Sequence, residues 1–282
     1  MGLFSLGYVS YRTNPRATKL PPEEEAEAEA SMQSTRPFSV LTQMSAVPTH
    51  APEAVATDTP ASKRPKKEWQ IPKLLFKCKD VTHPGAVIYF AHSNTAALLR
   101  DAVVGVLESL YTYDTVPNTQ RSVTLVLRDM DGIAYTTSSD LDVDHKEIHV
   151  SLRYLSTLSP TIAASEILGV IRHEMVHCFQ YNAHNTCPGG LIEGIADWVR
   201  LQAGFTPPHW RRGGKRWDDG YQNTAYFLEW LEQRFGKGIV ARVNGLLGKG
   251  KYKVGMWEEV CSGCGVEALW EEYRKLYGIG GP

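Results

Sequence analysis

The chain has 282 residues, of which 43% are hydrophobic, with seven Trp and thirteen Tyr, enough apolar material for an enzyme-sized core. Lys and Arg number 30 against 31 Asp and Glu, so no net field draws the chain to nucleic acid or to a membrane surface, and neither partner is expected. No stretch approaches the roughly 18 to 20 apolar residues that span a bilayer, and the N-terminal sequence lacks the apolar region of a secretion signal. A cytoplasmic or nuclear location is therefore expected.

Residues 1–70 form a segment of low complexity, rich in Pro, Ser, Thr and Ala, with an acidic run at residues 21–29. Such a composition cannot bury enough apolar surface to offset its ordering entropy, which predicts a disordered tail and linker. The basic cluster Lys63–Lys67 resembles a nuclear-import address, although a solvated charge run explains it equally well. We expect one folded domain over residues 71–282.

The predicted elements of this domain begin with a short strand at Gly85–Phe90 and a long amphipathic helix at Asn94–Tyr111. Three further strands are predicted at Ser122–Leu127, Ile133–Tyr135 and Lys146–Ser151. After Pro160 the pattern turns helical, with predicted helices at 160–182, 189–203, 220–235, 237–247 and 265–277. Strands followed by helices indicate an α+β fold, here a small mixed sheet and a mainly helical C-terminal part.

The helix predicted from residue 160 carries His173-Glu174-Met175-Val176-His177. Two residues four apart differ by about 40° and about 6 Å of rise, so both imidazoles face one point. That spacing suits two nitrogens on one Zn²⁺, with Glu174 beside them in the position of a general base for a zinc-activated water. Apolar residues before the motif give the helix a buried face, which argues against isolated surface histidines.

A third metal ligand is predicted at Glu193, early in the helix that follows Pro188-Gly189-Gly190. Two His and one Glu would leave a fourth tetrahedral position open, as a catalytic zinc site needs. Asp197, one turn later, is placed to accept the second ring N–H of a ligating His. His184 is a rival ligand, but the Gly and His of the three-histidine pattern are absent, and we therefore prefer Glu193.

The histidine motif with its following Glu is typical of zinc metallopeptidases. Two alternatives remain open for these residues: a satisfied polar network without metal, and a catalytically inactive peptidase-like module that binds peptides without cutting them. The intact Glu174 argues against the second, because a binding module needs no base there. Five cysteines at irregular spacing indicate no disulfide framework and agree with a reducing compartment. Cys261 and Cys264 lack the further ligands of a structural zinc site, so we predict a turn between helices.

The chain resembles the plant and bacterial peptidases called basic secretory proteins. Four blocks carry the resemblance: Ile171–His177, Gly190–Arg200, Trp217–Leu228 and Ala268–Tyr273. Together they cover roughly residues 75–275, and their joint spacing is far more specific than the zinc motif alone. The chain departs from the family in its near-neutral pI, its long tail and its lack of a secretion signal.

This resemblance implies a zincin-like α+β fold, one catalytic zinc and endopeptidase activity on protein or peptide substrates. It also likens Gly132, Ile133, Ala134 and Tyr135 to the edge strand along which zincins align an extended substrate. The oxyanion needs a further donor, for which we suggest Tyr221, with Tyr226 and His209 as alternatives. An aromatic side chain packed at a helix start explains Tyr221 equally well.

Overall fold

The structure is a computed structural model that describes residues 68–117 and 119–280. The predicted tail up to residue 67, including the Lys63–Lys67 cluster, lies outside the described residues. The strands are β1 (Lys73–Cys78), β2 (Ser122–Arg128), β3 (Ala134–Ser138) and β4 (His145–Ser151). The helices are α1 (Pro84–His92), α2 (Thr95–Leu110), α3 (Leu152–Leu155), α4 (Pro160–Phe179), α5 (Gly189–Gln202), α6 (Tyr221–Phe235), α7 (Ile239–Leu247), α8 (Met256–Val260) and α9 (Val266–Tyr277).

The four strands form one mixed sheet in the order β1-β2-β4-β3. β1, β2 and β4 are parallel, whereas β3 runs antiparallel to β4 and occupies one edge. The predicted α+β fold, with a small mixed sheet followed by a mainly helical C-terminal part, is confirmed.

One face of the sheet packs against helices and forms the core. Leu125 of β2 lies opposite Ile148 of β4, and both side chains are fully buried. β2 is buried over nearly its whole length, whereas β4 is buried only in its second half. α4 contacts β3, β4 and α2, so the helix that carries the histidine motif lies directly on the sheet.

α6 packs closely on α5. A Cβ at Gly194 of α5 would lie 2.2 Å from Thr224 Cγ2 of α6, and a Cβ at Gly190 would lie 1.7 Å from the main-chain oxygen of Asp218. Glycine therefore permits the close approach of these two segments. Behind them, Phe227 and Tyr273 lie within a cluster of buried aromatic rings.

The predicted strand at Gly85–Phe90 is wrong, since these residues belong to α1. The helix is favoured by Pro84 in its first turn and by His83, whose side chain accepts a hydrogen bond from the Gly85 amide, which are N-terminal helix signals. α4 ends at Phe179 instead of residue 182. β1, α3 and α8 were not predicted.

The described part of the chain holds no helix long and apolar enough to cross a membrane.

Candidate metal centre

α4 brings two imidazole rings together near its C-terminal end. The rings of His173 and His177 stand 4.8 Å apart at 81°, and their Nε2 atoms are separated by 3.1 Å. His173 is 8% exposed, because the face of α4 that carries it is covered by α5. The predicted convergence of the two histidines is thus present in the fold.

The third side chain comes from α5, which starts at Gly189 after a sharp turn in the chain. Glu193 Oε2 lies 3.1 Å from His173 Nε2 and 3.6 Å from His177 Nε2. Burial opposes ionisation of this carboxyl, but hydrogen bonds and charges from the two histidines outweigh burial and hold the pKa of Glu193 well below its usual range. Glu193 is therefore a carboxylate at neutral pH.

Asp197 lies one turn further along α5 and faces the other nitrogen of His173. Its Oδ1 is 2.6 Å from His173 Nδ1, and the side chain is nearly inaccessible to solvent. Burial by itself lowers the pKa of His173, whereas the Asp197 charge and the hydrogen bonds to Asp197 and Glu193 raise it well above the ordinary value. Without a metal, Nδ1–H donates to Asp197 and Nε2–H donates to Glu193. A metal ion would replace the Nε2 proton, because a ligating His is neutral, and Asp197 would keep Nδ1 protonated.

The spacing of these three donor atoms fits a metal ion. Around a tetrahedral zinc with bonds of about 2.0–2.1 Å, neighbouring ligand atoms stand about 3.3 Å apart. The measured separations are 3.1, 3.1 and 3.6 Å. The donor set of two neutral imidazoles and one carboxylate is also one that transition metals prefer. Among the described residues, His173, His177 and Glu193 are the group able to hold a metal ion.

Gln180, which the sequence did not single out, contacts the second histidine. Its Nε2 lies 3.1 Å from His177 Nδ1 and 3.3 Å from the Ile192 oxygen, while its buried Oε1 has no hydrogen-bond partner among the described residues. Rotating the amide by 180° would turn Oε1 toward Nδ1–H and leave His177 Nε2 free for a metal, at the expense of the bond to Ile192.

Glu174 is buried beside the two histidines but lies outside the group of donor atoms. It is 6% exposed, and its Oε2 accepts a hydrogen bond of 2.8 Å from the hydroxyl of Thr136 on β3. The sequence did not identify Thr136, since only the pairing of β3 with β4 and the packing of α4 bring it to Glu174.

Tyr221 begins α6 with a φ of +46°, a left-handed conformation that is uncommon outside glycine. Its ring is stacked on that of His173, with centroids 6.2 Å apart and planes at 9°. Burial raises the pKa of Tyr221, and the charges of Glu193, Asp197 and Glu174 raise it further. A neutral phenol thus stands against the site, with 39% of the residue exposed.

The other candidate side chains lie elsewhere. Tyr226 packs on Trp210 and on the Arg212 guanidinium, which is 4.6 Å from its ring, and His209 is exposed. His184, the rival ligand, is exposed in the turn after α4 with a φ of +55°. It does not share a helical face with His177, because α4 ends at Phe179.

All five cysteines are free. Cys261 and Cys264 flank the predicted turn, which joins α8 to α9. Cys178 is fully packed, and burial raises its thiol pKa above the ordinary value, which leaves it an unreactive core residue.

The predicted substrate strand corresponds in part to β3. Ala134 and Tyr135 belong to the strand, whereas Gly132 and Ile133 precede it, and the Ile133 oxygen accepts a hydrogen bond of 2.9 Å from the Ser151 amide. β3 pairs with β4 on one side and forms the edge of the sheet on the other. Through Thr136 it also borders α4 at Glu174.

Comparison with known proteins places the chain in a family. No curated protein and no solved structure matches it. A family model described as a peptidase of plants and bacteria matches residues 71–273, which is well over half of the chain and contains every residue of the candidate metal centre. The chain therefore belongs to this family of plant and bacterial peptidases, as its resemblance to the basic secretory proteins indicated.

Proposed function

We propose that the chain is a zinc-dependent endopeptidase with His173, His177 and Glu193 as its protein ligands. The observation that carries the proposal is the triangle of two imidazole nitrogens and one carboxylate oxygen, with sides of 3.1, 3.1 and 3.6 Å. The membership in a peptidase family supports hydrolysis of peptide bonds as the reaction. When bound, zinc supplies a Lewis acid that polarises the scissile carbonyl and lowers the pKa of a coordinated water.

Glu174 is the general base of this reaction. Its carboxylate takes a proton from the attacking water as the oxygen bonds to the carbonyl carbon, and passes that proton to the leaving amine when the C–N bond breaks. Its position one residue after His173 places it beside the donor atoms without making it one of them.

Asp197 and Tyr221 act on either side of His173. Asp197 Oδ1 accepts a hydrogen bond of 2.6 Å from His173 Nδ1–H and so holds the ring in the tautomer and orientation that present Nε2. Tyr221 remains protonated because burial and three nearby carboxylates raise its pKa, which equips the phenol to donate a hydrogen bond to the oxyanion formed at the scissile carbonyl.

The proposed substrates are proteins or peptides bound in an extended conformation. An exposed strand edge pairs with such a segment through main-chain hydrogen bonds, and β3 provides this edge beside Glu174. For the compartment, we propose the reducing cytosol or nucleus, because all five cysteines carry free thiols.

Two substitutions test the function. Glu174→Gln removes the base while keeping the side-chain shape, so we expect zinc to be retained and cleavage of a denatured protein substrate to be lost. Glu193→Ala removes a ligand, so most of the zinc should be lost. Equal zinc in the wild type and Glu193→Ala would overturn the ligand assignment, and equal cleavage by the wild type and Glu174→Gln would overturn the mechanism.

The control is Glu229→Gln. Glu229 is a carboxylate of α6 that pairs with Arg212, and the variant should keep both zinc and cleavage.

The rival function is a module that binds peptides without cutting them. It predicts a wild-type protein that contains zinc and binds peptides but leaves the denatured substrate intact.

A further inference from the structure

Thr136 connects Glu174 to the outer edge of β3, which pairs with no further strand among the described residues. Its hydroxyl oxygen lies 2.8 Å from Glu174 Oε2 and 2.9 Å from the main-chain oxygen of the same residue. A hydroxyl carries one proton, so only one of these acceptors receives it at a time. A carboxylate is the stronger acceptor, and the bond therefore ties the buried Glu174 side chain to β3.

The pairing of β3 with β4 also fixes which main-chain groups of β3 face outward. In antiparallel strands, residues alternate between pairs that exchange hydrogen bonds and pairs whose N–H and C=O groups point away. Ser151 donates to the Ile133 oxygen and Ser139 donates to the His145 oxygen, so the odd-numbered residues of β3 bond to β4. The main-chain groups of Ala134 and Thr136 consequently face the open edge.

These two observations meet at one residue. The main chain of Thr136 faces the edge where an extended peptide would pair, and its side chain holds the proposed base. The Tyr135 main chain, in contrast, is directed at His149 of β4, and the Tyr135 ring is stacked on the His149 ring at 4.7 Å. Tyr135 therefore belongs to the internal packing of the sheet more than to its open edge.

We propose that Thr136 is a positioning residue for Glu174, fixing its carboxylate relative to the strand edge along which the substrate lies. This inference rests on the proposed function, because it assigns Glu174 the role of base. Thr136 acts through its hydrogen bond to Glu174, and its effect is expected on the chemical step more than on substrate binding.

The test compares Thr136→Val with Thr136→Ser in the full-length zinc-loaded protein. Valine keeps the shape and the strand preference of threonine but cannot donate, so we expect kcat to fall about 10- to 100-fold with KM and zinc content near wild type. Serine restores the donor and should return kcat to within a few-fold of wild type. Thr136→Ala, which also lacks the hydroxyl, should match valine.

The matched control is Thr137→Val. Thr137 is the adjacent threonine on the opposite face of β3, where its hydroxyl contacts the Ser138 oxygen at 3.3 Å, so kcat should stay at the wild-type value. Two outcomes would overturn this inference and leave the proposed function in place. One is a wild-type kcat in Thr136→Val or Thr136→Ala. The other is a kcat in Thr136→Ser as low as that of folded Thr136→Val. A wild-type protein without zinc-dependent cleavage would instead overturn the proposed function, and this inference with it.

Discussion

Asp197→Asn removes the charge that holds His173 while keeping the side-chain shape. The wild-type bond is 2.6 Å long, and both side chains are at least nine-tenths buried, so solvent screens it little. A hydrogen bond to a charged group contributes about 1.5–3 kcal/mol and a neutral one about 0.5–1.5 kcal/mol. The expected loss of about 1–2 kcal/mol corresponds to a zinc Kd raised about 5- to 30-fold.

The assay is competition for zinc with a chelator of known affinity, followed at fixed pH. Asp129→Asn is the control, because this exposed carboxylate pairs with Arg153 on the surface and should leave the zinc Kd within about twofold of wild type. A folded Asp197→Asn protein with the wild-type Kd would refute the argument that Asp197 orients His173.

Three further substitutions probe the surroundings of the site. Gly194→Ala places a Cβ 2.2 Å from Thr224 Cγ2, so α5 and α6 must move apart. We expect the free energy of unfolding, measured in urea, to fall by about 1–3 kcal/mol, together with weaker zinc binding. An unchanged free energy of unfolding would contradict the close packing. Tyr221→Phe should lower kcat about 10²- to 10³-fold at unchanged zinc content. A wild-type kcat in this variant would show that Tyr221 is not the oxyanion donor. His184→Ala, in an exposed turn, should keep zinc by mass spectrometry and cleavage by peptide assay, and loss of the metal would reinstate His184 as a ligand.

The metal centre could be predicted largely from local rules. An i, i+4 pair of histidines on a helix with one buried face must project both rings to one side. The Pro188-Gly189-Gly190 turn then returns the chain so that α5 packs on α4, and the first turns of α5 supply Glu193 and Asp197. The contact between Asp197 and His173 follows from the same helical spacing. The chemical roles of these residues remain predictions.

Contacts between distant segments could not be predicted in this way. Thr136 reaches Glu174 only because β3 pairs with β4 and α4 crosses the sheet, and no local pattern encodes that approach. β1 likewise depends on its parallel pairing with β2. Nothing in the local sequence pattern predicts that pairing, because α1 and α2 separate the two strands along the chain. The contact of Gln180 with His177 was missed for a different reason, since α4 was expected to continue past it.

The error at Gly85–Phe90 shows the limit of periodicity. A short run of apolar residues is compatible with a buried strand and with a buried helix. The deciding features were the His83 cap, Pro84 in the first turn and Gly85, where a Cβ would lie 1.9 Å from the Leu152 oxygen. His83 and Pro84 can be recognised in the sequence as helix-start residues, whereas the need for glycine at position 85 depends on how α1 packs against α3.

The most direct test of the central claim is the metal content of wild-type protein purified without added metal, measured by mass spectrometry together with cleavage of a denatured protein substrate. The account predicts about one zinc per chain, cleavage that a chelator abolishes, and recovery of cleavage on adding zinc back. Protein without bound metal, or cleavage that persists after the metal has been removed, would contradict it.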